Sequence, residues 1–371
     1  MKIGFLINPV AGMGGKVALK GTDGEDILRR AIELGALPAA EERADTAISE
    51  FANIAEEHEF YSPSGKMGGE VLSQNGIIPI IIFEPSQKTT SYDTKKSVSL
   101  MLEIGVEAIV FAGGDGTARD ICSVAGENVP VIGIPAGVKI HSAVYAKRPK
   151  DAGLLVRNLL LGRIKRFVLA EVMDLDEDAF RKNIINAKLY GYMMVPDDRE
   201  FMQDRKSGSS GSDESELLDI ASYVVNHMQK DEIYLIGSGS TTYSILQALG
   251  ISGSLLGVDA VLNKELAGKD LPEEGIKEIL SGFESNKRHL VITVIGGQGH
   301  IFGRGNQQLS PDVIRMIPRE NIQVIANTSK MSALVGKNLI ADTGNPVLDN
   351  ELSGYIPVIT GFNKKIMAKI G

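Results

Sequence analysis

The segment Gly113-Gly114-Asp115-Gly116-Thr117 sets one carboxylate among three glycines, directly after the apolar run Ile109–Ala112. Glycines at a strand end let an anion's oxygens approach main-chain N–H groups, and a helix that starts there adds partial positive charge. Gly113, Gly114, Gly116 and Thr117 therefore form a candidate phosphate cradle. The acid is the odd element. Asp115 repels phosphate unless it holds Mg²⁺ or takes the proton from a hydroxyl that attacks phosphorus. The alternative is a plain helix cap, a common use of Asp, and the residue types leave both readings open.

Three other places offer similar chemistry. "LIGSGSTTYSI" (235–245) ends an apolar run in Gly239, Ser240 and Thr241, a turn whose N–H and O–H donors suit an anion. Its alternative is a helix cap. "KGTDG" repeats the Gly-Asp-Gly theme at Asp23, with Lys20 beside it, and reads equally well as a plain loop. The Asn8-Pro9 pair ends the first apolar run as a turn would.

Several common sites are struck out. Each Gly-Lys pair, at Lys16, Lys66, Lys269 and Lys337, is followed by Val, Met, Asp or Asn, so the Walker phosphate loop is missing. Asp174, Asp176 and Asp178 begin like a calcium loop, but Ala179 and Ile185 stand where it needs Gly and Glu. The five histidines lack metal-ligand spacing, and no G-x-S-x-G elbow occurs.

The elements that must position these groups can be read from periodicity. "KIGFLINP", "GIIPIIIFEP", "VEAIVFAGG" and "VPVIGIPAG" are short apolar runs stopped by Pro or Gly, as buried parallel strands are. "SYDTKKSVSLMLEIG" carries Val98, Met101 and Leu102 at helical spacing, with Ser91 or Asp93 to cap it and Gly105 to end it. Strand, helix and strand in this order predict a Rossmann-like, doubly wound α/β domain over residues 1–165. From Arg166 to Pro196 apolar and polar residues alternate, as in half-buried antiparallel strands, so a second, β-rich α/β domain is expected from residue 166. Residues 204–216, with "SGSSGSDESE", predict a mobile polar loop.

Composition bounds the function. The 371 residues are 43% hydrophobic, enough for two cores, and 39 basic against 47 acidic residues give a net charge of −8. That balance disfavours any unspecific grip on nucleic acid or anionic membrane, and no run reaches the length of a membrane helix. One cysteine, Cys122, excludes an intramolecular disulfide, and the first ten residues do not read as a signal peptide, so a cytoplasmic address is expected.

"GGDGT" after a strand, preceded by "INPVAGMGG", resembles the superfamily that joins NAD kinases, diacylglycerol and sphingosine kinases and 6-phosphofructokinases. "LKGTDG", "GIPAGVKIHSAVYA", "EVMDLDEDAF", "LYGYMMVP" and "IGGQGHIFGRGNQQLSP" extend the likeness over nearly the whole chain. They are similar to the archaeal and bacterial ATP-NAD kinase-like branch that also holds the acetoin-catabolism protein X. The resemblance implies an NAD kinase/diacylglycerol kinase-like fold in which the second domain spans residues 166–345 and residues 346–371 return to the first. It implies ATP, or polyphosphate, as phosphoryl donor, Mg²⁺, and NAD as acceptor, with Asp115 as base toward the 2'-hydroxyl of the adenosine ribose. It makes Gly113, Gly114, Gly116 and Thr117 the phosphate cradle and turns Asn8 toward the nucleotide. Gly137, opening a helix, and Lys139 become phosphate contacts, while His141 is read as a packing or capping residue. It gives no dedicated protein metal ligand and a homo-oligomer of small-molecule function.

One departure matters. The Asn-Glu pair that grips the dinucleotide in NAD kinases is not recognisable, and "NIINAKLYG" leaves Asn186 without its acid. Two alternatives therefore stay beside an NAD kinase: a kinase for a lipid or other small alcohol, and a nucleotide-binding regulatory protein without turnover.

Overall fold

A computed structural model describes residues 1–19, 25–138, 140–175, 187–198, 200–203 and 213–371. Lys20, Asp23, Lys139, Asn186 and the Asp176–Ile185 part of the acidic run lie outside them. The chain divides into two units, Met1–Gly14 with Gly21–Arg205, and Gly15–Lys20 with Lys206–Gly371.

In the first unit the apolar runs become β1 (Lys2–Ile7), β2 (Glu59–Pro63), β3 (Ile80–Phe83), β4 (Ala108–Gly113) and β5 (Val131–Pro135). They pair in the order β3-β2-β1-β4-β5, all parallel. Every residue of β4 is buried, which explains its unbroken apolar sequence. By contrast β3 is an edge strand with Ile80 and Ile81 exposed, so the expectation of a buried strand there fails. Strand order reverses between β1 and β4, which places their carboxyl ends at the switch point where open α/β sheets hold ligands. There Asn8 N–H donates to Ala112 O at 2.9 Å, so the Asn-Pro turn and the glycine turn lie side by side.

Helices α1 (Glu25–Glu33), α2 (Ala40–Ile48), α3 (Gly69–Gln74), α4 (Ser91–Ile104) and α5 (Asp115–Ala125) connect these strands, and α6 (Pro149–Leu160) follows β5. α4 begins at Ser91, so its cap lies one residue before the first of the two expected ones. Thr90 caps it, Asp93 returns a bond to the Thr90 N–H at 2.7 Å, and Gly105 ends it in the left-handed conformation at φ 74°.

The alternating stretch forms the antiparallel pair β6 (Phe167–Leu175) and β7 (Ala187–Pro196), as expected. It does not open the second unit, however. Its inward residues Ala170, Val172, Met193 and Val195 complete the first core, which moves the division from residue 165 to the segment after Gln203.

The second unit contains α7 (Asp213–His227), β8 (Ile233–Ile236), α8 (Ser240–Ala248), β9 (Asp259–Leu262), β10 (Glu265–Gly268), α9 (Glu273–Ser281) and β11 (Arg288–Thr293). There follow β12 (His300–Phe302), α10 (Pro311–Arg315), β13 (Ile322–Ile325), α11 (Thr328–Ser332), β14 (Ile340–Ala341), α12 (Pro346–Leu352), β15 (Gly354–Gly361) and β16 (Lys364–Ile370). The main sheet runs β10-β9-β8-β11-β13-β15-β16, parallel from β8 to β15 with antiparallel edges. Both faces are covered: Leu235, Ile292 and Val324 enter one core, and Tyr234, Val291 and Ile325 enter another that α7 closes with Ile220 and Val224. Residues 346–371, expected with the first unit, belong to the second. β15 bonds to β13 and β16 to β15, so the tail finishes the second sheet. Of the expected loop 204–216, residues 204–212 lie outside the described ones and Asp213 already begins α7. Among the described residues no helix is long and apolar enough to cross a membrane.

Candidate functional site

Asp115 is the first residue of α5, and its side chain does not cap that helix. Oδ1 accepts the Ser142 N–H at 3.0 Å and Oδ2 accepts the His141 N–H at 2.6 Å. The His141 Nδ1 stands 3.2 Å from the same Oδ2. The carboxylate thus bridges the start of α5 to the 137–142 segment, and Asp115 is 7% exposed. Ser142 is fixed in turn: its Oγ donates to Met173 O at 2.8 Å and accepts the Met173 N–H at 3.0 Å on β6. Two main-chain donors on one carboxylate are charge-assisted bonds, which hold it more firmly than a neutral acceptor. The cap alternative for Asp115 is therefore replaced by a long-range anchor.

The glycines have steric reasons. A Cβ at Gly113 would lie 2.5 Å from the Thr117 side chain, and one at Gly114 would lie 3.1 Å from the Gly137 Cα. Gly137 N–H donates to Gly113 O at 3.0 Å, which closes the two turns on each other. Asn8 serves the turn and the glycine segment at once. Its Oδ1 accepts the Val10 N–H at 3.2 Å as a turn residue does, and its Nδ2 donates to Thr117 Oγ1 at 3.0 Å. Tyr145, wholly buried, donates its hydroxyl to Gly114 O at 2.6 Å. The N–H groups of Asp115, Gly116 and Thr117 open α5 and cannot bond within it, because an α-helix leaves its first donors over. Asn8, Gly113, Gly114, Asp115, Gly116, Thr117 and Gly137 are thereby brought together.

One expectation fails here. Gly137 does not open a helix; Gly137, Val138 and residues 140–142 belong to no helix or strand, and the next described helix, α6, starts at Pro149. The N–H groups of Gly137, His141 and Ser142 serve Gly113 O and the Asp115 carboxylate instead of a helical ladder.

The second unit has its own glycine turn before a helix. Gly239 takes φ +129°, open to glycine alone at little cost, and leads into α8, where Ser240 is exposed and Thr241 buried. Lys330 Nζ donates to Thr241 Oγ1 at 2.8 Å and to Thr293 Oγ1 at 3.1 Å. The turn after β8, the end of β11 and the start of α11 after β13 thus converge at the carboxyl ends of three adjacent parallel strands. Sequence reading found Gly239, Ser240 and Thr241 and missed Lys330. Its one local signal is "ANTSK" after an apolar run, where Asn327 caps α11 by accepting the Lys330 N–H at 3.2 Å.

Among the described residues no group of three or more His, Cys, Asp or Glu converges to hold a metal ion. Both Asp115 oxygens already face N–H donors.

Comparison with known families adds to this geometry. The ATP-NAD kinase N-terminal domain model matches residues 3–164, and the ATP-NAD kinase C-terminal domain model matches residues 229–370. No curated protein and no solved structure matches the chain.

Proposed function

We propose, from the premise that the chain belongs to the ATP-NAD kinase family and is a phosphotransferase acting on an alcohol group, that it phosphorylates the 2'-hydroxyl of the adenosine ribose of NAD to give NADP. The observation that carries this reading is the buried Asp115 carboxylate, held by two main-chain N–H groups inside a glycine turn at the sheet's switch point. A carboxylate fixed among phosphate-seating amides suits a reaction that brings a hydroxyl to a phosphoryl group and must take up its proton.

Most of the acceleration then comes from position and charge. The open N–H groups of Asp115, Gly116 and Thr117 seat phosphate oxygens, and Asn8 fixes Thr117 beside them. Gly114 and Gly137 let the ligand approach main chain. In the second unit Gly239, Ser240 and Thr241, with Lys330, supply hydroxyl donors and one positive charge to an anionic group. Lys139 belongs to the same proposal and lies outside the described residues. Mg²⁺, bound to ATP or polyphosphate, supplies neutralisation of the donor's negative charge.

The test incubates the protein with Mg-ATP and NAD and reads NADP with an NADP-specific dehydrogenase. NADP formation by the parent protein, reduced about 100-fold or more in Asp115→Asn, is the expected result. ADP released without NADP would assign another alcohol, and nucleotide binding without either product would assign a regulatory role.

A further inference from the structure

The geometry points to Ser142 as the positioning residue of the Asp115 carboxylate, a hydroxyl that ties the acid's main-chain donor to β6. This inference rests on the kinase reading above and keeps Asp115 as the base. Ser142 is wholly buried, and its N–H donates to Asp115 Oδ1 at 3.0 Å. Its Oγ turns to β6, donating to Met173 O at 2.8 Å and accepting the Met173 N–H at 3.0 Å. One side chain thus meets both main-chain groups of a single strand residue. A carboxylate oxygen carries two lone pairs, so accepting one N–H leaves a place for the proton of a hydroxyl.

The segment that holds Ser142 needs such a tie, because no helix or strand fixes it. Ala143 N–H donates to Glu171 O at 2.9 Å, and the Ser142 hydroxyl adds its pair of bonds two residues further along β6. Met173 stands where the register of β6 against β7 shifts, a place at which the ladder is disrupted and main-chain groups are left to other partners. Ser142 is that partner. The next residue of β6 holds the other half of the contact. Asp174, buried, accepts from Arg119 Nη1 at 2.6 Å, and Arg119 lies one turn along α5 from Asp115, on the same side of the helix. Two adjacent residues of β6 therefore fix both sides of the carboxylate bond, its donor through Ser142 and its helix through Arg119.

Ser142 supplies position and takes no part in the bond changes. The acceptor hydroxyl oxygen bonds to the terminal phosphorus, the bond from that phosphorus to its bridging oxygen breaks, and ADP, or the shortened polyphosphate, leaves with the bonding pair. Asp115 takes the hydroxyl proton and later releases it to water. A base displaced by about 1 Å costs up to about 100-fold in rate, while the glycine amides still seat the phosphates.

Ser142→Ala is the decisive variant, because it removes the hydroxyl and keeps the N–H. Read by NADP formation at saturating Mg-ATP and NAD, kcat should fall about tenfold or more, with KM for both nucleotides within about threefold. Ser97→Ala is the control: Ser97 is equally buried, and its Oγ donates to Asp93 O at 2.7 Å within α4. Its kcat should stay parental. Parental kcat in Ser142→Ala, a loss there confined to KM, or an equal loss of kcat in Ser97→Ala overturns the inference. So does a Ser142→Ala chain that fails to fold, since the hydroxyl would then be a requirement of the fold. A second readout needs no turnover: in amide hydrogen exchange of the full chain, protection of the residue 142 N–H should fall about tenfold or more in Ser142→Ala and stay parental in Ser97→Ala. Unchanged protection in Ser142→Ala also overturns it. Absence of NADP formation by the parent protein would refute the kinase reading, while hydrogen exchange would still decide the tie.

Discussion

Asp115 and Gly113 show how tightly single residues are constrained at the glycine turn. Replacing Asp115 by Asn puts an amide NH₂ against one of two buried main-chain donors, from Ser142 or His141, so one N–H loses its acceptor. A loss of about 1–3 kcal/mol in unfolding free energy is expected beside the loss of activity, measurable by urea titration. Gly113→Ala drives a methyl against Thr117, and Thr117 is what Asn8 holds. Its expected signature is weaker phosphate-donor binding by isothermal titration, with about 1–3 kcal/mol of overpacking cost. Asp115, the glycines and Asn8 were legible because local rules apply to them: glycine for close approach, Asn-Pro for a turn, an acid that needs a reason. His141 could be read only as a cap or packing residue, since the meeting of Asp115 with His141 spans 26 positions. Lys330 was beyond reach for the same reason, as its contact with Thr241 crosses 89 positions and the strands β9 to β13.

At the scale of elements, the switch point between β1 and β4 does the positioning, and the ends of β8, β11 and β13 repeat that solution. Lys330→Met removes the charge there while keeping the stem. It is expected to raise the KM for a phosphate-bearing ligand about tenfold with little change in kcat, the pattern of lost uniform binding. Elsewhere, α9 carries a charge cluster with a pH signature. Burial pushes the Glu273 carboxyl up, but the Ser310 hydroxyl, Lys277 and Lys16 outweigh it and hold the group below its usual 4.5. Lys277 is raised from 10.5, chiefly by its bond to Glu273. The depressed acid stabilises the fold above pH 4.5 and loses that contribution as pH falls through its lower folded value. The raised amine stabilises below pH 10.5 and loses its share as pH rises through the folded value. Glu273→Gln should therefore lower Tm at neutral pH and flatten the decline of Tm below pH 4.5. Among elements, α4 was legible nearly to the residue because its capping box and terminal glycine lie within the sequence window. β3 was misjudged because nothing in an apolar run tells an edge from a centre.

For the molecule as a whole, both units are α/β, and the chain is a member of the ATP-NAD kinase family. The doubly wound first half was readable from the alternation of apolar runs and helical spacing. The division between units was not. Alternation in 166–196 correctly gave antiparallel strands, but which core receives Ala170, Val172, Met193 and Val195 depends on partners distant in sequence. The tail failed similarly, because the choice of sheet for β15 and β16 is a register with β13 and not a property of their residues. Binding to the native state should show at this scale: NAD or Mg-ATP at about 100 times its Kd should stabilise the protein by about 2.7 kcal/mol, visible as a raised Tm. The same increment should be smaller for Mg-ATP with Gly113→Ala. Formation of NADP from NAD and Mg-ATP by the purified full chain remains the most direct measurement. Equal amounts of NADP and ADP, both lost in Asp115→Asn, are expected; binding of both nucleotides over hours with no NADP formed would contradict an NAD kinase.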